Sequence, residues 1–420
     1  MEKHRRGSVT IQCMKYDVVV VGAGVFGAWT AYRLRLEGAS VLLLDSYGPG
    51  NSRASSGGES RILRLGYGPD EIYSRSAKRS QLLWQQLFEQ TGSFFENTGM
   101  LWLAAEHDAY CEATVATLQR LNANFERLDH DELIRRYPQL ELGSVSWGIL
   151  EPDAGVLLAR RAVQAVAATA QAGGVQYLQE AVVPPAPAPG KLKSVKTATG
   201  TEIVAEHFVF ACGPWLPKIF PDLLGQLIHV TRQEVIFFGV PPGDHSFDKG
   251  AMPTWIDFNE LVYAMPNLDG RGFKVAFDAH GPAFDPDSGE RMITSSGLTA
   301  MREFLARRVP RLADAPVTET RVCQYENTSN GDLLIDRHPE MENVWLVGGG
   351  SGHGFKHGPV VGEYVAAMIA GKKPQSHDSA SQPSKRSSNG VFINRGLHGL
   401  NPDFYPCKSA AKTQGFAVAL

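Results

Sequence analysis

The chain has 420 residues, 43% of them hydrophobic, and a formal net charge of −3. That length can bury a core large enough for two or three domains, one of which can be discontinuous. With both signs of charge spread along the chain, nothing in the balance argues for nucleic acid or an anionic membrane as a partner.

Residues 1–15 read as a mobile lead-in, and MEKHRRGSVTIQC has basic residues without the apolar core and cleavage site of a secretory signal. Residues 16–45, YDVVVVGAGVFGAWTAYRLRLEGASVLLLD, then carry the pattern that organises the rest. The β-branched run 18–21 predicts a strand buried on both faces, and Gly22, Gly24 and Gly27 follow it at once. Gly22 takes up a tight turn, Gly24 leaves no Cβ in the way of a pyrophosphate, and Gly27 lets the next helix lie close on the strand. Free N–H groups at the helix start would face the phosphates. A second strand, 41–44, ends at Asp45, whose carboxylate is placed for an adenosine ribose. A glycine-rich turn of another α/β sheet is the plainer alternative, but all four features fall at dinucleotide-binding spacing. The apolar run 18–28 is interrupted by glycines and followed by Arg33 and Arg35, short of the ~20 apolar residues of a membrane span.

Further along, 48–58 is a loop by composition, 59–64 turns extended, and 72–87 has the period of an amphipathic helix with Leu82, Leu83, Trp84 and Leu87 near one face. A strand is predicted at 100–103 and a short helix at 129–137, stopped by Pro138. Residues 148–156, GILEPDAGV, read as turn-rich, 159–172 as a helix, 175–178 as a strand, and the proline-rich 184–190 as neither. The strand 204–211 ends in Cys212-Gly213-Pro214-Trp215. From 227 to 281 strands are separated by Pro and Gly turns with no helix between them, which predicts an antiparallel sheet inserted into the first domain. A helix at 296–308, strands at 322–325, 333–335 and 344–347, and the loop GGGSGHGF opening a helix at 360–369 complete the pattern. After Gly371 the sequence is polar and Ser-rich, the composition of a weakly ordered tail.

The cysteines, Cys13, Cys111, Cys212, Cys323 and Cys407, are odd in number, widely spaced and without a CxxC pair, which fits a reducing compartment better than a disulfide framework or a zinc site. The terminal Val-Ala-Leu lacks the basic middle residue of a peroxisomal address, so a cytoplasmic location is expected. No metal cluster or Ser/His/Asp arrangement emerges.

A second glycine-rich loop late in the chain returns to the edge of the first if both preceding strands lie in one parallel sheet. Two such edges enclose more than a mononucleotide, which points to flavin. GAGVFG with Asp45, SSGGESRILR, EPDAGV, the strand-end Cys-Gly-Pro-Trp, Lys274 in GFKVAF, CQY at Cys323, and LIDRHPE followed by GGGSGHGFK resemble the monomeric sarcosine oxidase group over roughly residues 16–371. That group is a branch of the D-amino-acid-oxidase-type FAD oxidoreductases, with N-methyltryptophan, pipecolate and fructosyl amino acid oxidases.

The resemblance implies an α/β fold: a Rossmann-like FAD-binding domain from 16–92, 150–220 and 321–372, an inserted antiparallel-sheet substrate domain from 93–149 and 221–320, and a tail at 373–420. It implies cofactor contacts at Gly22, Gly24, Val25, Phe26, Gly27, Asp45, Ser46, Ser52, Arg53, Ser56, Arg61, Val183, Cys212, Gly213, Trp215, Gly350, Gly352, His353, Gly354 and Lys356, and a thioether from Cys323 to the 8α-methyl of FAD. It assigns Arg64 and Lys356 to the substrate carboxylate, Lys274 to the flavin N5 region where a positive charge favours reduction of O₂, and Tyr263 to the substrate pocket. On residue chemistry alone each has a blander reading: Cys323 a buried small hydrophobe, Arg64 a solvated charge, Lys274 a lysine leaving a half-buried strand, Tyr263 core packing.

Two departures stand out. Ser56-Gly57 occupies the place of a histidine pair in close relatives, and Asp278 that of a pocket histidine, with His280 two residues on. Sarcosine itself is thereby a weaker expectation, and Asp278 suits a cationic or hydroxylated substrate side chain. The function implied is a monomeric FAD-dependent oxidase of an N-methyl, cyclic or otherwise substituted amino acid, giving an imine, then carbonyl plus amine, and hydrogen peroxide. A dehydrogenase with another electron acceptor, or a non-catalytic flavin-binding protein, shares most of these motifs. A nicotinamide enzyme fits less well, because the chain has one Rossmann fingerprint and no second.

Overall fold

In the computed structural model, residues 14–372 are described; the amino-terminal lead-in up to residue 13 and the tail 373–420 lie outside them. The strand Met14–Val21 begins two residues inside the expected lead-in and forms the centre of a parallel sheet. It pairs in parallel with Val41–Leu44 on one side and Glu202–Phe210 on the other, and Gln176–Leu178 and Val344–Gly348 extend the sheet outward. Leu334–Arg337 and Ser194–Lys196 add antiparallel edges. Both faces of this strand are covered, Val18 and Val20 packing into one core cluster and Val19 and Val21 into another, so all four are buried.

The helix Val25–Leu36 starts at Val25, so Gly27 lies in its first turn. A Cβ on Gly27 would stand 1.8 Å from the Gly22 carbonyl oxygen, which is why only glycine lets this helix seat against the turn. The helix is buried on nearly all sides, between Ala159–Ala172 and Gly358–Ile369. Gly362 makes that second contact possible, since a Cβ there would meet the Trp29 carbonyl at 2.7 Å.

The second large sheet contains Val317–Thr328, Ile228–Phe238, Phe273–Phe277, Val262–Met265, Thr254–Asp257, Met100–Ala104, Trp147–Glu151 and Glu126–Asp129 in that order. It is antiparallel except where Thr254–Asp257 runs parallel to Met100–Ala104. The strand Trp147–Glu151 runs across position 149/150 and Val317–Thr328 across 320/321, so two of the expected domain boundaries fall inside strands of this sheet. The segment expected to be turn-rich at 148–156 is largely strand: Trp147–Glu151 and Gly155–Leu157 flank a turn at Pro152, and the second of them pairs with Arg61–Leu63 and Phe95–Glu96 in a small third sheet. Its Pro, Asp and Gly set the turn, while the apolar residues on either side find partner strands distant in sequence.

Alternation along the second sheet decides its two faces. Ile236, Phe238, Ala264, Phe273 and Val275 point to one side and pack on Met301, Phe304 and Leu305 of the helix Ser295–Arg308. Register places Tyr263 opposite Ala276, Phe237 opposite Lys274, Gln233 opposite Cys323 and Thr231 opposite Tyr325, so these residues share the other face. That face is the floor of the site.

Candidate active site

A cavity of ≈ 320 Å³ opens at the carboxyl ends of the parallel strands. Its walls include Gly22, Gly24, Val25, Phe26, Asp45, Ser46, Ser56, Arg61, Cys212, Gly213, Trp215, Cys323, Gly350, Gly352 and Gly354. The first glycine turn and the last therefore meet at one edge. A Cβ on Gly24 would meet nothing nearer than the Ser56 hydroxyl at 3.4 Å, and one on Gly213 nothing within 4 Å, so both backbones present open space to a ligand. Ser56 Oγ accepts from the Val25 N–H at 3.0 Å and ties the SSGG loop to the helix start. Gly57 has no room for any side chain, because a Cβ there would lie 1.7 Å from the Asn51 carbonyl oxygen.

At one end of the cavity Asp45 accepts from the Ala23 N–H at 2.7 Å and from the Tyr47 and Gly48 N–H groups at 2.8 Å. Burial raises its pKa against those hydrogen bonds. The adjoining wall is formed by residues 180–182, whereas Val183 is 48% exposed. Ser52 is exposed, and the Arg53 guanidinium lies over the Tyr47 ring and donates to the Asp287 carbonyl. Asp287 itself lines the cavity and accepts from Trp215 Nε1 at 2.7 Å, so the loop between Phe273–Phe277 and Ser295–Arg308 contributes to its wall.

At the other end, Cys323 rises from the floor, and its Sγ receives a hydrogen bond from the Arg61 guanidinium at 3.1 Å. Arg61 also donates to the Ser55 and Ser60 carbonyls. Lys274 Nζ donates to Ser60 Oγ at 2.9 Å and to the Ser60 carbonyl at 3.1 Å, with the Tyr263 ring centroid 5.8 Å away. Burial, with Arg61 beside it, brings the Lys274 pKa down to about 7. Burial raises that of Tyr263.

Beyond the floor lies a compact group that the chain assembles from distant segments. Arg64, only 6% exposed, is sandwiched between the Tyr67 ring at 4.3 Å and the Trp102 ring at 4.7 Å, and contacts the Gly66 carbonyl. Lys356 Nζ donates to Tyr67 Oη at 2.6 Å and to the His353 carbonyl at 2.8 Å. Tyr67 Oη also meets His357 Nε2 at 2.8 Å, and His357 Nδ1 meets Ser76 Oγ at 2.9 Å. Burial and then Arg64 hold the Lys356 pKa well below its ordinary value, while burial and then Lys356 hold His353 down to about 3. His353 thus faces Tyr67 and Tyr73 and sits outside the cavity wall.

Two carboxylates answer these cations. Glu151 is committed to the Leu65 N–H, the Gly66 N–H and Trp102 Nε1. Asp278 accepts from Tyr325 Oη at 3.0 Å, with no second hydrogen bond to its side chain among the described residues. Burial raises its pKa, and Tyr325, Arg64 and Lys356 pull it back. His280, two residues on, is exposed but lies on the same side: its ring meets that of Tyr325 edge-on at 6.4 Å, and its charge acts on Asp278. Tyr67, Trp102, Glu151, Tyr325 and His357 escaped the sequence assignments; Glu151 stood inside the quoted EPDAGV motif and Tyr325 inside CQY, but nothing local marked the others.

The model of the FAD dependent oxidoreductase family matches residues 17–368, and the chain belongs to that family. It is an FAD-dependent amine oxidoreductase, related to amino acid oxidases. Among its relatives, the monomeric sarcosine oxidase of Bacillus sp. (strain NS-129) is 30% identical, over 86% of this chain and 95% of that protein. The N-methyl-L-tryptophan oxidase of Salmonella heidelberg (strain SL476) is 26% identical, over 86% and 96% respectively. The same fold is seen in L-proline dehydrogenase from P. horikoshii, with a TM-score of 0.75 at 23% identity, covering 86% of this chain and 95% of that one. No helix among the described residues is long and apolar enough to cross a membrane.

Proposed function

We propose that the protein oxidises a substituted α-amino acid at its C–N bond with O₂ as electron acceptor, releasing an imine, which water converts to carbonyl plus amine, and hydrogen peroxide. The observation that carries this reading is the pairing of Arg64 and Lys356 about Tyr67. Burial, and then the Arg64 guanidinium, lower the pKa of Lys356, and a substrate carboxylate entering between the two cations would restore the charge. The guanidinium grips carboxylate oxygens as a fork and the ammonium adds a point charge.

The open glycine faces fit FAD, and bound FAD would supply the two-electron oxidation that side chains cannot perform. Gly24 and Gly213 would give its diphosphate close backbone approach, and Asp45 would take the ribose end. Arg61, donating to Cys323 Sγ, would hold that sulfur in place for a thioether to the flavin. Lys274 would present a positive charge where O₂ is reduced, and Tyr263 would wall the pocket. Asp278, with one oxygen held by Tyr325, would meet a cationic or hydroxylated group of the substrate. We also take the protein to be a cytoplasmic monomer.

The test is to denature the purified protein in acid, ask whether the yellow colour stays with the polypeptide, and screen N-methyl, cyclic and glycated amino acids for anaerobic bleaching and for peroxide in air. Bleaching without peroxide would favour a dehydrogenase. Failure of every amino acid to bleach the flavin would favour a non-catalytic flavin protein.

A further inference from the structure

Glu326 takes no part in the chemistry above, yet it lines the cofactor cavity. It lies on Val317–Thr328 between Tyr325 and Asn327, so alternation turns its side chain away from the floor that carries Cys323 and Tyr325. The carboxyl group ends beneath the late glycine turn. Oε1 accepts from the Gly350 N–H at 3.3 Å, and a Cβ on Gly348 would come within 3.2 Å of Oε2. The residue is 6% exposed, and Oε2 is buried with no hydrogen-bond partner among the described residues. A carboxyl oxygen left this way is costly unless a ligand or a proton satisfies it.

The surroundings decide which form it takes. On the turn after Glu202–Phe210, the Cys212 thiol is held neutral by burial and feels the charges of Asp45 and Glu326. Tyr325 adjoins on the same strand, Val230 is opposite on Ile228–Phe238, and Leu216 approaches from the helix Leu216–Ile219. Among the described residues no cation contributes to holding Glu326 ionised, and burial pushes its pKa up to about 7. Asp45, Cys212, Cys323, Glu326 and Gly350 line one cavity, and Glu326 lies against the Cys212 and Gly350 turns, where the ribityl and diphosphate span of FAD would run. That span is anionic and rich in hydrogen-bond acceptors.

We propose that Glu326 holds the cofactor as a neutral carboxylic acid, donating one hydrogen bond from Oε2 to the ribityl–diphosphate span, so that FAD binding above neutral pH takes one proton from solvent. This rests on the cavity being the FAD site. The sign follows from linkage: a nearby diphosphate raises the acid's pKa further, so affinity is flat where Glu326 is already protonated and falls as pH rises between the free and bound values.

The experiment is fluorescence titration of FAD into cofactor-free protein from pH 6 to 9, in a Cys323→Ser background that keeps binding reversible, with and without Glu326→Gln. The expected result is a Kd that rises up to tenfold per pH unit above about 7 with Glu326 present, and a flat profile with Glu326→Gln. Parallel profiles for the two would overturn the proposal while leaving FAD binding intact; absence of binding in both would overturn the functional reading and this one together. Calorimetry in buffers of different ionisation enthalpy checks the same point without altering Glu326. Uptake approaching one proton per FAD at pH 8 and none at pH 6 supports it, and no uptake at either pH refutes it.

Discussion

The two ends of the site are made of different material. The end proposed for the nucleotide is backbone: glycine turns, helix-start N–H groups and a carboxylate tied to three N–H donors. The end proposed to bind the substrate acid is side chain: Arg64, Tyr67, Glu151, Asp278, Tyr325, Lys356 and His357, brought together from strands, loops and the short helical turn Phe355–His357. Backbone sites tolerate change in side-chain chemistry but not in volume. A buried cluster of cations and carboxylates reverses this, because removing one charge leaves another uncompensated.

The largest effect that would sharpen this contrast is at Lys274. Replacing it by Met should slow reoxidation of the reduced flavin by O₂ by about 10²–10³-fold, the scale of losing one aimed electrostatic contact, with flavin content unchanged. The parent rate should fall as pH rises through about 7, where Lys274 loses its proton in the free protein, and the variant should lose that slope. Stopped-flow oxidation across pH measures both. Unchanged O₂ reactivity in the variant would move the chain to the dehydrogenases.

Arg64→Gln should lower kcat/KM by about 30-fold, corresponding to about 2 kcal/mol for one lost charge contact, chiefly through KM, again without loss of flavin. An equal loss for amines lacking a carboxylate would break the assignment.

At the opposite end, Gly27→Ala changes no charge, yet its methyl meets the Gly22 carbonyl. About 1–3 kcal/mol of stability should go, as for overpacking elsewhere, and bound flavin with it, measured by thermal melting and absorbance. Were that variant to retain full flavin while Arg64→Gln lost it, the division between backbone and side-chain ends would be wrong.

The smallest effect concerns selectivity. Asp278→Asn should shift the preference between cationic and neutral amino acids by about tenfold, or about 1.4 kcal/mol, leaving the rate of O₂ reaction alone. A uniform change across all substrates would instead make Asp278 a support for Tyr325.

How legible the site was follows from the range of the interactions that build it. Gly22 and Gly24, with Asp45, were readable because a turn between a strand and a helix is a local problem. Arg64, Lys274, Cys323 and Lys356 became legible only through motifs resembling a known group; their residue chemistry alone favoured blander roles. Tyr67 was invisible, since its importance lies in contacting Lys356 and His357 from the far side of the chain. Residues 148–156 misled for the same reason: the turn residues are local, and the strands that pair with the flanking apolar residues are not.

The order of residues by itself determined a buried parallel strand with a phosphate-ready turn, the helices with apolar faces, and an antiparallel stretch whose alternation gave it two faces. Short-range sterics and periodicity suffice for these. Only tertiary packing decided that one face of the second sheet looks onto the glycine turns, that Arg61 reaches Cys323, and that Arg64 and Lys356 share Tyr67. Each depends on contacts between segments hundreds of residues apart, whose geometry is set by how whole sheets and helices stack and not by any neighbour along the chain.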